Sequence, residues 1–247
     1  TTAWVTATDK DGGTSPAVSS TVDVLAVTGA NLQTVLSQQG SITTEVTTND
    51  QAQSLVNAVN ALPAPSTPIT VTLNLGAGTY SGTTASPPAG VTLVLVGSGG
   101  TTTIVGSSPA LLVTGGIVMV SDLILANATA AATIQVSGGN LTLRNVVVQE
   151  SSTSSQAALL LTGGAVDLGT TASPGGNTFN VNDPGELIRN TGAGAVSAFG
   201  NTFQVDGITQ TSPYRIEDKI FHALDHGGGG LVSYVAGNDY VTNNSGS

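Results

Sequence analysis

Three glycine pairs, Gly115-Gly116, Gly138-Gly139 and Gly163-Gly164, each close a short β-rich run. The runs are Ala110-Leu111-Leu112-Val113-Thr114, Thr133-Ile134-Gln135-Val136-Ser137 and Ala158-Leu159-Leu160-Leu161-Thr162. The pairs start 23 and then 25 residues apart. After each comes a second run with apolar residues at alternate positions: Val118 and Val120, Leu141 and Leu143, Val166 and Leu168, and later Val196 and Ala198. A third short run follows in each period, as in Leu123-Ile124-Leu125, Val146-Val147-Val148, Phe179-Asn180-Val181 and Phe203-Gln204-Val205. Three short strands in a period in the low twenties define a solenoid.

Alternation with period two sends one set of side chains inward and the other outward. One turn of such a coil cannot bury its core alone, so the inward residues of successive turns must stack. Corners are expected at the glycine pairs that begin with Gly115, Gly138 and Gly163, since glycine reaches positive φ without a Cβ penalty. A second kind of corner is expected at Asp122, Asn145, Asn177 and Asn201, since Asp and Asn tolerate the left-handed region and bond nearby backbone. The sharpest repeat is Gly176-Asn177-Thr178-Phe179-Asn180-Val181, which returns 24 residues later as Gly200-Asn201-Thr202-Phe203-Gln204-Val205. Between the earlier and later corners the register slips by one residue.

These repeats resemble the right-handed parallel β-helix of the pectin-lyase-like superfamily. More narrowly, residues 176–205 followed by Ile216-Glu217-Asp218-Lys219-Ile220-Phe221-His222-Ala223-Leu224-Asp225 and Gly227–Gly230 are similar to a module of very large, repetitive bacterial surface or secreted proteins. The resemblance spans roughly residues 50–241. It implies an all-β fold, a right-handed parallel β-helix solenoid with an N-terminal capping helix and a short helix near the C-terminus. It leaves activity open, because one fold hosts lyases, hydrolases, adhesins and structural modules.

Only 8% of the residues are charged, against about 25% in ordinary globular domains. With a net charge of -10 and only five Lys plus Arg, the chain lacks the basic footprint that nucleic acid requires. There is no cysteine and therefore no disulfide framework. No apolar run reaches the roughly 18 residues of a membrane span, so no membrane insertion is expected. A surface of Thr, Ser, Asn and Gly suits a secreted, extracellular or cell-surface protein. The chain starts without Met or a signal peptide, and is expected to be a segment of something longer.

Residues 1–27 read as two strands around a turn, similar to the last hairpin of an immunoglobulin- or cadherin-like sandwich. A lone hairpin is marginal, so these strands are expected to pair elsewhere. Asp9-x-Asp11-Gly12 offers the oxygen ligands and tight turn of a calcium loop; the missing distal Glu of the full motif favours a solvated hairpin turn instead. Residues 28–49 form a polar linker. Residues 50–62 form a capping helix, N-capped by Asp50, with Leu55, Val56, Val59 and Leu62 on one face. The solenoid proper occupies 50–211, with Ile69–Leu75 as its first strand and Gly76-Ala77-Gly78-Thr79-Tyr80 like the G-x-Y element of the superfamily. Residues 212–247 hold a second helix, capped by Ser212 and Pro213, striped by Ile216, Ile220 and Leu224 and ended by Gly227. Terminal strands then lead toward a next module.

Glycoside cleavage needs converging carboxylates about 5–9.5 Å apart. Asp122, Glu150, Asp167, Asp183 and Glu186 fall at different places within their turns, and Asp122 is expected to pair with Arg144 across adjacent turns. His222 and His226, one helical turn apart beside Asp218 and Asp225, lack an evident third metal ligand. Glu217 and Lys219 are expected to be solvated. Asn127, Asn140 and Asn243 open N-glycosylation patterns. The expected function is a non-enzymatic structural or adhesive module, self-associating with identical modules or neighbouring domains into filaments by strand addition. The alternatives are a β-helix polysaccharide lyase or glycoside hydrolase, and a carbohydrate-binding module with a polysaccharide or glycan partner. No cofactor is called for beyond calcium at Asp9 and Asp11.

Overall fold

A computed structural model describes residues 2–5, 18–21, 26–106, 108–223 and 229–235. Within them the chain is a parallel β-solenoid of about seven turns, built from three sheets. The first sheet stacks β3 (Ile42–Val46), β4 (Ile69–Leu75), β7 (Val91–Val96), β10 (Ile117–Ser121), β13 (Asn140–Arg144), β16 (Ala165–Asp167), β19 (Val196–Ser197) and β23 (Val232–Ser233). The second stacks β5 (Gly78–Ser81), β8 (Thr102–Gly106), β11 (Ile124–Asn127), β14 (Val147–Glu150), β17 (Thr178–Val181) and β20 (Thr202–Val205), and ends in the antiparallel β21 (Ile208–Thr209). The third stacks β6 (Thr83–Ala85), β9 (Leu111–Val113), β12 (Ile134–Val136), β15 (Ala157–Leu161), β18 (Glu186–Asn190) and β22 (Ile220–Phe221). Outside these sheets, β1 (Thr2–Val5) and β2 (Val18–Thr21) pair with each other as an antiparallel hairpin.

The alternation seen in sequence becomes columns of stacked side chains. Ile42, Val71, Leu93, Val118, Leu141, Val166, Val196 and Val232 follow one another through the first sheet, each buried. In the second sheet Tyr80, Ile104, Leu125, Val148, Phe179 and Phe203 do the same. The Phe179 and Phe203 rings stack with centroids 5.8 Å apart. At about 2 kcal/mol for each fully buried aliphatic or aromatic side chain, such columns dominate the stability of every turn. Tyr80 adds a tie at the start of the coil, donating its hydroxyl to the Val46 carbonyl at 3.0 Å.

Within each Gly-Gly corner positive φ falls on the second glycine, Gly116 at 69°, Gly139 at 74° and Gly164 at 82°. The first glycines answer to space instead: a Cβ on Gly138 would lie 2.5 Å from the Thr114 carbonyl oxygen, and one on Gly163 2.6 Å from that of Ser137. The one-residue slip at the other corner also has a structural cause. Asp122, Asn145, Gly176 and Gly200 occupy equivalent places two residues before the strand, with φ of 56°, 54°, 66° and 72°. Glycine thus takes over the left-handed position in the later turns. Asn177 and Asn201 follow it, at the inward position held earlier by Leu123 and Val146.

The segment expected as a linker, 28–49, is structured. It holds α1 (Leu32–Gln39), whose Leu32, Val35 and Leu36 are buried, and the edge strand β3. The capping helix α2 (Asn49–Asn60) is N-capped by Thr48, whose hydroxyl accepts from the Gln51 N–H, while Asp50 sits in the first turn. That correction follows from backbone geometry, since Thr48 is extended and Asp50 is already helical. The C-terminal helix α3 (Pro213–Glu217) follows Ser212, whose side chain makes no cap bond. It stops well before Gly227, because Ile220 joins β22 opposite Ile188. Leu224, Gly227 and residues 236–247 lie outside the described residues.

Helix α2 closes all three sheets. Gln51 donates to the Glu45 carbonyl at 3.0 Å and accepts from the Thr47 N–H at 3.1 Å, bracketing the edge of the first sheet. Asn49 accepts from the Ser81 N–H at 2.7 Å and Gln53 donates to the Ser81 carbonyl at 3.1 Å, at the edge of the second. Asn60 donates to the Thr84 carbonyl and accepts from the Ser86 N–H, both at 2.8 Å, at the edge of the third. Side-chain amides stand where the peptide groups of a preceding turn would be, which blunts edges otherwise open to foreign strands. Replacing Asn60 by Leu is expected to lower stability by about 1–3 kcal/mol in urea titration. The triple replacement Gln51→Ala, Gln53→Ala and Asn60→Ala is expected to raise sedimentation-detected association as well. Gly139→Ala, at φ 74° with its Cβ 2.6 Å from the Gly116 carbonyl oxygen, is expected to lower the urea midpoint sharply.

Candidate functional site

Near the last turns the chain makes an open groove of about 470 Å³, lined by Asp183, Asp206, Gln210, Arg215, Asp218 and Lys219 among others. Its first wall is the connection from β17 to β18, which carries Asp183. Its second is the hairpin joining β20 to β21. Val205 pairs with Ile208 there, and Asp206 and Gly207 take φ of 52° and 75°. Two successive positive φ values fit the right-handed twist of a two-residue hairpin, which is why Asp-Gly is found there. The third wall is α3 and the residue pair after it.

Several of these groups already have partners within the fold. The Asp206 carboxylate accepts from the Asp183 N–H at 3.1 Å. The Asp183 carboxylate forms an ion pair with Lys219, tying the first wall to the third. Gln210 donates to the Ile208 carbonyl at 2.8 Å. Arg215 and Asp218 are exposed. Among the described residues Arg215 takes part in no ion pair, whereas Arg144, Arg189 and Lys219 all do.

Beneath α3 lies a buried polar cluster. Glu217 and Tyr234 are buried and His222 is fully so. His222 Nδ1 accepts from the Val232 N–H at 3.0 Å, so the ring proton sits on Nε2, 2.6 Å from Glu217 Oε1. The Tyr234 hydroxyl donates to Glu217 Oε2 at 2.5 Å, and its ring meets Phe203 edge-on. Glu217 was expected in solvent on a long exposed helix; the early end of α3 turns it inward. The cluster fastens α3, β22 and β23 together. His226 and Asp225, the other members of the expected histidine constellation, lie outside the described residues.

Four further acids, Asp122, Glu150, Asp167 and Glu186, bond within the coil. Arg144 reaches Asp167 of the next turn at 2.6 Å and not the expected Asp122, which accepts instead from Asn145 Nδ2 at 3.3 Å. The reason is direction: Arg144 and Asp167 project from the outer face of the first sheet, whereas Asp122 is in the corner. Burial pushes the Asp167 carboxyl up, but the Arg144 hydrogen bond, the Gly169 N–H and the Arg144 charge outweigh it and hold it below its ordinary range. Glu186 holds Arg189 by two 2.6 Å contacts, and Arg189 lies 4.4 Å from the Phe221 ring centroid. Glu150 is buried, accepting from the Thr133 hydroxyl and the Ser152 N–H, both at 2.9 Å.

Asn177 and Asn201 form a ladder inside the corner. Asn177 Nδ2 donates to Asn201 Oδ1 at 2.9 Å and Asn177 Oδ1 accepts from the Val146 N–H at 3.0 Å. Asn201 Nδ2 donates to the carbonyls of Leu168 and Ala198. Of the glycosylation patterns, Asn127 is buried, its Nδ2 donating to the Ala131 carbonyl at 2.8 Å and its Oδ1 accepting from Thr129. A glycan could not be attached there in the folded chain. Asn140 is exposed at the start of β13, and Asn243 lies outside the described residues. So do the calcium candidates Asp9 and Asp11. Among the described residues no group of three or more His, Cys, Asp and Glu is placed to hold a metal ion, and no helix is long and apolar enough to cross a membrane.

Compared with models of protein families, with curated proteins and with solved structures, the chain finds no match in any of the three. The class established for it is the one its own geometry defines, a parallel β-solenoid.

Two outcomes follow. Replacing Glu217 by Leu removes the carboxylate that His222 Nε2 and the Tyr234 hydroxyl share in the core, and is expected to cost about 3 kcal/mol in chemical denaturation. The lowered Asp167 value contributes stability above the unfolded carboxylate value of about 3.9, and that contribution is lost as pH falls through the folded value. Arg144→Met raises the folded value, so the loss is expected at higher pH in an acid-unfolding series. With the Asp167 side chain 41% exposed, the effect at neutral pH is expected to stay below about 1 kcal/mol.

Proposed function

We propose that this chain is a non-enzymatic structural or adhesive module of an extracellular or cell-surface protein, of the pectin-lyase-like solenoid type. The observation that carries the reading is the way the charged groups of the coil are spent. Arg144–Asp167, Glu186–Arg189, Asp183–Lys219 and Glu217–His222–Tyr234 are each engaged in holding turns or termini together. A hydrolase or lyase needs carboxylates poised toward substrate, and the carboxylates of these pairs are committed to protein neighbours; Asp206 and Asp218, exposed in the groove, are the ones a cleavage assay addresses.

Self-association is part of the proposal. Among the described residues the β1–β2 pair stands outside the three solenoid sheets and is two-stranded, so each strand has one edge for pairing with a neighbouring module. The amides of α2 close the N-terminal end of the coil, which directs association to the hairpin. Repetition of such a contact without closure would give filaments.

Electron cryomicroscopy of the full chain and of a form lacking residues 1–27 tests this, beside assays for reducing ends and unsaturated sugars on plant and bacterial polysaccharides. The expected result is end-linked rods that require residues 1–27 and leave every polysaccharide uncut. Catalytic cleavage of any of them would overturn the reading, and rods indifferent to the deletion would overturn the hairpin's part in it.

A further inference from the structure

The groove at the C-terminal end has a composition that the structural reading does not use. Arg215 is an exposed guanidinium without an ion pair among the described residues, in a chain with only five Lys plus Arg. It shares the groove with Asp218, also exposed, and with Asp206 and Gln210 from the opposite hairpin. Ile208 in its lining and Tyr214, next to Arg215 on α3, are large side chains left in solvent, at 68% and 67% exposure. Tyr214 and Asp218 are one helical turn apart, with the Asp218 N–H bonded to the Tyr214 carbonyl at 3.0 Å, so ring and carboxylate project from the same side of α3. The scaffold beneath is firm: the Glu217–His222–Tyr234 cluster anchors α3 and the Asp183–Lys219 pair joins two walls.

We propose that this groove binds a neutral glycan. Adjacent hydroxyls of a sugar ring are both donors and acceptors. A guanidinium donates two parallel N–H groups to such a pair, a carboxylate accepts from it, and a side-chain amide does both. Arg215, Asp206, Asp218 and Gln210 supply all three kinds of group in one groove. The C–H face of a sugar ring is apolar and packs on an aromatic side chain that keeps its polar tip in water, as exposed Tyr214 does. The sign of the charge decides between glycan classes. Three carboxylates face two cations in the groove, and the whole chain carries -10, so a uronate or sulfated chain would be repelled where a neutral one is not.

The site rests on the non-enzymatic reading above, since it takes the groove to hold a glycan without cutting it. Titration calorimetry of the full chain against neutral cello-, manno- and xylo-oligosaccharides, with sodium alginate and calcium chloride as separate probes, tests it. Reducing-end analysis of the recovered sugars accompanies each titration. The expected result is saturable binding of at least one neutral oligosaccharide. Arg215→Ala and Tyr214→Ala are each expected to weaken it about tenfold, or roughly 1.4 kcal/mol, with Asp218→Asn weakening it less. Thr142→Ala, on the outer face of the first sheet, should leave it unchanged. Tyr214, Arg215 and Asp218 are exposed, so unaltered melting temperatures separate lost contacts from lost fold. Binding to none of the neutral sugars, to alginate alone, or with equal strength in all variants would overturn the site. So would calcium as the sole ligand of Asp206 and Asp218. Cleaved sugar would defeat the non-enzymatic reading while leaving the groove's specificity to be read from the same variants.

Discussion

Each turn of the solenoid satisfies its backbone only through the turns above and below it. Parallel strands from successive turns exchange N–H and C=O groups at a spacing of about 4.8 Å, and the side chains between them must repeat to the same rhythm. That coupling explains why the inward columns are uniformly aliphatic or aromatic over as many as eight strands, from Ile42 to Val232. It also explains why the ends matter so much. A coil interrupted in mid-stack presents three unsatisfied edges at once. The N-terminal interruption is met by a single helix whose Asn49, Gln51, Gln53 and Asn60 amides imitate the missing peptides.

Polar groups inside the coil follow the same logic. Where Asn177 and Asn201 replace Leu123 and Val146 at the inner corner, they bond to each other and to carbonyls of neighbouring turns. Asn127 and Glu150, paired across β11 and β14, each fix the loop that follows their strand. An unpaired amide or carboxylate at these depths would cost several times what a made hydrogen bond contributes, so each substitution brings its partners with it. At the far end the same requirement gathers Glu217, His222 and Tyr234 beneath α3. On α3, next to that cluster, exposed Arg215 and Asp218 line the groove.

Much of the fold was legible because its main cause is periodic. The runs ending in Gly-Gly, the alternation in Val118 and Val120 or Leu141 and Leu143, and the returning Gly-Asn-Thr-Phe segment all became in-register strands. The capping helix was legible too, from Leu55, Val56 and Val59. What went unread in residues 28–49 had a signal, the spacing of Leu32, Val35 and Leu36, masked by abundant Gln, Thr and Ser. The Asp206-Gly207 hairpin, which builds one wall of the groove, had its usual turn pair as a signal.

Sequence by itself determined that this chain coils, how long a turn is and which side chains face inward. These properties depend on short-range periodicity and composition, which a linear reading preserves. Only the tertiary structure decided which charges meet. Arg144 passes over Asp122 for Asp167, because outward and corner positions point apart. Glu217 turns from solvent into the core, because α3 yields to the pairing of Ile220 with Ile188. Asp183, Asp206, Arg215 and Lys219 reach one groove from three different segments. Contacts of that kind depend on where successive turns are stacked and where a helix stops, which are settled by packing across the coil and leave no local mark in the chain.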